Sequence, residues 1–227
     1  MHLQLAQPPT RQLFDIGIPE RNAADSIVSF RSRLAVYLLS RSLICSNTIE
    51  KASTSRKLSS YDMLGEAAVT YKQSRDYFGK YIKAAYTVEA PSEISIKLSS
   101  LHPRYEYLRQ DSCIPTIIGM VSHLMGICNR RGIGLTIDAE ESDRLDLSMM
   151  VIESIVKSHG EGLTVAVQAS QKRAIGVIKH LNSLNVPIGV RLVKGAYWDT
   201  EIKMAQERGL EYPVFTSKEH TNISYLA

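Results

Sequence analysis

Six polar residues stand where strands are expected to end, the first being Asp62 in Tyr61–Gly65. Lys97 sits near the close of ISIKL (Ile94–Leu98), Asp138 closes Leu135–Asp138, Gln168 closes Leu163–Gln168, and Arg191 and Lys194 lie in VRLVKGAYWDTEIK (Val190–Lys203). A lysine at the end of an apolar strand is costly unless paired. It can ligate a substrate carboxylate, act as a Schiff-base nucleophile, or pack its stem and send its head to solvent. Asp138 suits catalysis, while Glu140 and Glu141 after it are also what a helix N-terminus favours. Gln168, if buried, needs a backbone or a ligand edge as partner. Arg191 and Lys194 precede a turn at Gly195 and suggest an anionic ligand. No histidine lies at ligand spacing from the carboxylates, so no metal is expected. His102, in LHPRYE, reads as a loop stabiliser, and Tyr197 and Trp198 as packing aromatics more often than a cofactor platform.

The elements that must hold these residues follow from periodicity. Asn22 to Ser40 carries Ile27, Phe30, Leu34, Tyr37 and Leu38 at helical spacing and is followed by a Ser- and Lys-rich stretch, Lys51 to Ser60. Residues 1–60 are therefore expected to form a helical arm and linker, and residues 61–227 a run of strand and helix units. Strands are expected at Tyr61–Gly65, Ile94–Leu98, Leu135–Asp138, Leu163–Gln168 and Ile188–Val193, with a sixth beginning at Tyr212–Phe215. Helices are expected over Glu66–Ala85, Ile114–Asn129, Asp143–Lys157, Lys172–Leu184 and Asp199–Arg208.

Repeated βα units imply a parallel sheet, either doubly wound or a (β/α)8 barrel. No GxGxxG follows the first strand, and polar residues end several different strands, which favours the barrel. Eight units need roughly 250 residues. The expectation is thus an incomplete barrel of about six of eight strands, ending near Ser224–Ala227 inside its sixth helix.

Composition narrows the partners. In 227 residues the net charge is only +4, with 44% hydrophobic and 22% charged residues. No basic stripe with interleaved aromatics argues for nucleic acid. There is no run of about 18 apolar residues and no secretory h-region at the N-terminus, so the expected location is cytoplasmic. Cys45, Cys113 and Cys128 have no metal-ligand or CxxC spacing and read as reduced packing thiols.

The segments YDMLGEAA (Tyr61–Ala68), ISIKLSSLHPRYE, IDAEESDRLDLS (Ile137–Ser148), VQASQKR (Val167–Arg173), VRLVKGAYWDTEIK and YPVFTSKEHTNISYLA (Tyr212–Ala227) together resemble the proline dehydrogenase domain of bacterial bifunctional proline utilization A proteins. The resemblance implies a distorted (β/α)8 barrel that binds FAD and oxidises L-proline to Δ1-pyrroline-5-carboxylate by hydride transfer to flavin N5, the first step of proline catabolism to glutamate. Electrons would pass to a membrane quinone, which leaves room for peripheral contact with the inner membrane face. Lys97, Asp138 and Arg191 would be catalytic: Lys97 at the substrate carboxylate, Arg191 near N5. Ala139, Gln168, Val193, Lys194, Gly195, Ala196 and Trp198, with Thr216 and Lys218, would hold the FAD. Gly195 would admit close backbone approach.

Some features depart from that family. Ser170 stands where tyrosine is common. The final barrel segment, with paired arginines for the substrate carboxylate, and an aldehyde dehydrogenase segment are not found, so impaired turnover is expected. A Schiff-base aldolase using Lys97 and a non-enzymatic remnant or partner-binding fragment are the alternatives.

Overall fold

A computed structural model describes the backbone of residues 34–36 and residues 59–63 and 65–227. Its centre is one parallel sheet of β1 (Leu34–Val36), β2 (Ser60–Asp62), β3 (Glu93–Ile96), β4 (Gly134–Ile137), β5 (Leu163–Gln168) and β6 (Ile188–Val193). The spatial order is β1-β6-β5-β4-β3-β2. From β2 to β6 each strand lies beside its predecessor, with α1 (Tyr71–Thr87), α2 (Gln110–Arg131), α3 (Leu145–His159) and α4 (Ala174–Ser183) in the crossovers. A doubly wound sheet would reverse its order partway. An unreversed order with one-sided helices is the barrel's winding.

Period-two alternation divides the sheet into unlike faces. Ile94, Ile96, Leu135, Ile137, Leu163, Val165, Val167, Ile188 and Val190 face the helices and share a buried core with Ala84, Ile117, Val151 and Val177. The register aligns Asp62 with Ser95, Ser95 with Thr136, Thr136 with Thr164 and Thr164 with Gly189. These alternate residues make a polar lumen. The curvature is evident in Arg191 of β6, which reaches across to Ser60 of β2. Close packing fixes two lumen glycines: a Cβ on Gly134 would come within 2.9 Å of Glu93 Cβ, and one on Gly189 would strike Thr164.

Two further helices follow β6: α5 (Trp198–Arg208) and α6 (Lys218–Leu226). Helix ends use local chemistry. Thr70 Oγ1 accepts from Gln73 N at 3.1 Å to cap α1, and Gly132, at φ +66°, ends α2 in the left-handed region. By length and composition α2 could cross a membrane. Its Ile117, Val121, Leu124 and Met125, however, are buried in the core.

Three expectations are corrected. The helical arm fails at Leu34–Val36, where extended backbone pairs in parallel with Ile188–Val190; the rest of Asn22–Ser40 lies outside the described residues. Tyr212–Phe215 adds no strand to the sheet, since β1 takes the place beside β6. Instead Val214 makes an isolated antiparallel bridge to Gln171, and Phe215 N donates to Ser170 O at 2.8 Å. The first helix begins at Tyr71 rather than Glu66, because Ala67 N and Ala68 N donate to Ser99 Oγ and Ser99 O, both at 2.9 Å. Tertiary hydrogen bonds thereby outweigh the local helix propensity of Glu66–Ala68.

Candidate active site

Strand ends place the charged residues in one network. Lys97, just past β3, donates from Nζ to Asp62 Oδ1 and Oδ2 at 3.2 and 3.1 Å and to Asp138 Oδ2 at 3.2 Å. Asp138, just past β4, takes Ser95 Oγ–H at 2.5 Å and also pairs with Arg191 Nη2. Arg191 Nη2 donates to Ser95 Oγ at 3.1 Å and Nη1 to Ser60 Oγ at 3.3 Å. Thus β2, β3, β4 and β6 each contribute to a half-buried array of alternating charge.

Electrostatics decide what Lys97 can do. Burial disfavours its ammonium, but Asp138 and then Asp62 outweigh that and lift its pKa above the ordinary lysine value. A Schiff base requires a neutral amine at working pH. The lysine here is instead a fixed cation, and both the nucleophile and the solvent-reaching readings give way to it. Asp62 is moved upward, burial prevailing over the pull of Lys97.

Above the network a chain of hydrogen bonds laces five loops at the C-terminal rim. Ser99, after β3, holds Ala67 and Ala68, after β2. Its own N–H donates to Glu140 Oε1 at 3.0 Å. Glu140 O accepts from Gln168 Nε2 at 2.9 Å, and Gln168 Oε1 accepts from Ala196 N at 2.9 Å. Gln168 therefore gives both ends of its amide to backbone, with one N–H and one lone pair remaining. Glu140 is no helix-start residue: its side chain is buried, ion-paired with Arg144 Nη1 at 3.1 Å, and pushed upward in pKa by burial. Glu201 of α5 braces the same loop by accepting from Ser142 N at 2.5 Å and Ser142 Oγ at 2.7 Å.

The other anticipated residues gather at the β6 side of the rim. Lys194, Gly195 and Ala196 are exposed, and Val193 and Ala139 are half-buried. Gly195 has φ +133°, and a Cβ there would strike Ser170 Oγ. The glycine is required by backbone conformation and by Ser170, before any ligand is considered. Lys194 Nζ donates to Asn222 Oδ1 at 2.7 Å, which brings it to α6, where Thr216 and Lys218 lie exposed at the helix start. Trp198 Nε1 donates to Phe215 O at 2.6 Å. Its indole N–H thus serves the fold, whichever face it shows a ligand. Tyr197 Oη donates to Glu66 Oε2 at 2.9 Å, an interaction of which sequence gave no sign.

His102 is buried, accepts from Arg104 N at Nδ1 (3.1 Å) and has its pKa lowered by burial, as a loop stabiliser should. Cys113 and Cys128 are buried and form no disulfide among the described residues; burial pushes Cys128 up to about 12, which leaves it a packing thiol. Sequence reasoning missed Glu93, Ser95 and Ser99. The signal was present in Glu93-Ile-Ser-Ile-Lys97, where every second residue is polar. A crevice bounded by Leu145, Met149, Ile152 and Val177 lies on the helix side of β4 and β5 and meets the hydrogen-bonded residues at Asp138, Glu140 and Gln168.

Comparison with known proteins fits this geometry. Residues 45–227 match the family described as proline dehydrogenase. The bifunctional protein PutA of Escherichia coli (strain K12) is 39% identical, over 86% of this chain and 17% of its own length; that of Rhizobium meliloti is 37% identical, over 85% and 17%. A crystal structure of Bradyrhizobium japonicum proline utilization A superposes with a TM-score of 0.70 at 42% identity, covering 74% of this chain and 19% of that one. The chain thus spans less than a fifth of the length of these relatives. With most of its length matched by one family and its barrel winding shared with a solved relative, the chain belongs to the proline dehydrogenase family.

Proposed function

We propose that this chain binds FAD and oxidises L-proline to Δ1-pyrroline-5-carboxylate, with residues 61–227 as the catalytic unit. The observation that carries this reading is the single network of Lys97, Asp62, Asp138 and Arg191 at the strand ends of a proline dehydrogenase barrel. FAD supplies the two-electron acceptor when bound.

The residues present fit a flavin. Arg191 and Lys97 place positive charge beneath the rim, where it favours an electron-rich ring edge. Gln168 keeps donor and acceptor capacity beside the exposed Gly195 turn. Lys194, Thr216 and Lys218 converge on the start of α6, a suitable corner for the dinucleotide's phosphates. Lys97, held as a cation, orients the proline carboxylate, and the substrate competes with Asp62 for its ammonium. The laced loops hold these groups in register, so the protein contributes position and charge rather than a nucleophile. A quinone acceptor and a peripheral membrane contact rest on the family resemblance.

The test uses the purified 227-residue chain. Expected results are a flavin absorption spectrum after reconstitution, quenching of the fluorescence of Trp198, the only tryptophan, and anaerobic bleaching by L-proline but not by an acyclic amino acid. A folded chain that neither retains FAD nor bleaches with proline would overturn the assignment. Covalent trapping of a carbonyl compound on Lys97 by borohydride would favour the aldolase reading instead.

A further inference from the structure

The lumen contains a carboxylate for which the proposed chemistry has no role. Glu93 opens β3, aligned with Ser60 on one side and Gly134 on the other. Its side chain is 16% exposed, and Oε1 stands 3.9 Å from Arg191 Nη1. That oxygen is buried and has no hydrogen-bond partner among the described residues. A buried carboxylate oxygen without a donor is costly and is retained where its charge acts on something. The charge it faces is Arg191, whose guanidinium also touches Ser60 Oγ and the fully buried Ser95 Oγ.

We propose that Glu93 is a positioning residue which, with Ser60 and Ser95, seats the Arg191 guanidinium inside the lumen and so sets how much positive charge Arg191 presents at the rim. Asp138 holds one side of the guanidinium and Glu93 the other. Without Glu93 the guanidinium swings toward Asp138 and the rim. Ser95 cannot compensate: its Oγ already accepts from Arg191 Nη2 while donating to Asp138, and a neutral hydroxyl brings no opposing charge. The missing Cβ of Gly134 makes room for Glu93, since any larger residue would press on the Glu93 Cβ.

The seating of Arg191 does not depend on flavin binding; its consequence for the flavin rests on the function proposed above. Two measurements therefore separate them. In the ligand-free chain, phenylglyoxal modification of Arg191 is followed by peptide mass spectrometry, with Arg131 and Arg144 as internal controls for general unfolding. Glu93→Gln is expected to raise the Arg191 rate roughly fivefold, the factor a modest partly buried ion pair commands, with Glu93→Asp restoring protection and the controls unchanged. In the FAD-loaded chain, Glu93→Gln is expected to tighten sulfite addition to the flavin several-fold and to raise the flavin's reduction potential, because both report positive charge near the ring.

An unchanged Arg191 rate in Glu93→Gln, or a rise shared by the control arginines, overturns the proposal. A changed rate with unchanged sulfite affinity overturns its link to the flavin. Should wild type retain no FAD, the functional reading fails, while the modification rates still decide the seating.

Discussion

Replacing Lys97 by methionine removes a cation from between two carboxylates. The contacts are 3.1 Å to Asp62 and 3.2 Å to Asp138, with 15% of the lysine side chain exposed. At an effective dielectric of about 20, each close carboxylate attracts the ammonium by about 5 kcal/mol. Desolvation of the ammonium offsets much of this in the wild type. In Lys97→Met, however, the two carboxylates remain buried without the cation between them. The expected loss is then about 3–5 kcal/mol of unfolding free energy at neutral pH, a large share of a typical domain's 5–15 kcal/mol. Two features distinguish this from loss of packing. Asp62 is already raised in pKa with Lys97 present, so without it a proton binds the folded state more tightly still. Stability of the variant relative to wild type should accordingly recover as pH falls toward 5. Adding Asp62→Asn to Lys97→Met should also restore part of the loss, because one of the facing charges is gone. Urea unfolding at pH 7 and pH 5, followed by circular dichroism, measures both effects. A loss under about 1 kcal/mol, a loss independent of pH, or a double variant no more stable than Lys97→Met would refute the argument.

Gly195→Ala combines a positive φ with a contact on Ser170 and should cost about 1–3 kcal/mol in thermal unfolding; Ser170→Gly would relieve the contact but not the backbone strain. Glu201→Ala leaves Ser142 N without its acceptor, with an expected cost of about 1–3 kcal/mol and faster hydrogen exchange in the peptide spanning 139–146, whereas an unchanged exchange rate would make Glu201 a bystander. Glu140 has its pKa raised in the fold, so the folded state binds the extra proton and gains stability as pH falls through the window above the ordinary carboxylate value. Glu140→Gln should remove that contribution, visible as a smaller stability gain on acidification in the variant than in wild type, and identical pH slopes would contradict the assigned cause.

How much of this was legible in the chain depends on which force fixed each part. The strands Leu163–Gln168 and Ile188–Val193 fall at their expected bounds, because their apolar runs are bracketed by glycine and proline. Gln168 at the end of the first and Arg191 within the second were visible for the same reason. Helix starts were less legible. The helix expected from Ile114 begins at Gln110, accepting Pro115 early in its length because flanking core contacts outweigh one absent hydrogen bond. Leu34–Val36 carries helical spacing but forms a strand, since the open edge of β6 offers it backbone partners that periodicity does not encode. The roles of Gln168 and Glu140 were illegible for a related cause. Each is fixed by loops far apart in sequence, and spacing along one strand reveals the presence of a polar group but not its partner.

The polar lumen is the part of the molecule that stability alone does not explain. Barrel interiors of this class are ordinarily filled by branched apolar side chains, and the helix-facing side of the same strands is filled that way. Yet the lumen holds Asp62, Glu93 and Asp138 against Lys97 and Arg191, with Glu93 Oε1 and Thr136 Oγ1 lacking hydrogen-bond partners among the described residues. Buried ion pairs rarely stabilise a fold more than apolar residues of the same volume would. Three carboxylates set against two cations among the described residues are an unfavourable way to fill space unless a bound molecule uses the resulting field. That inversion between two faces of one sheet, apolar where the helices pack and charged where strand ends converge, argues from energetics to function: the charges are positioned for a ligand at the rim.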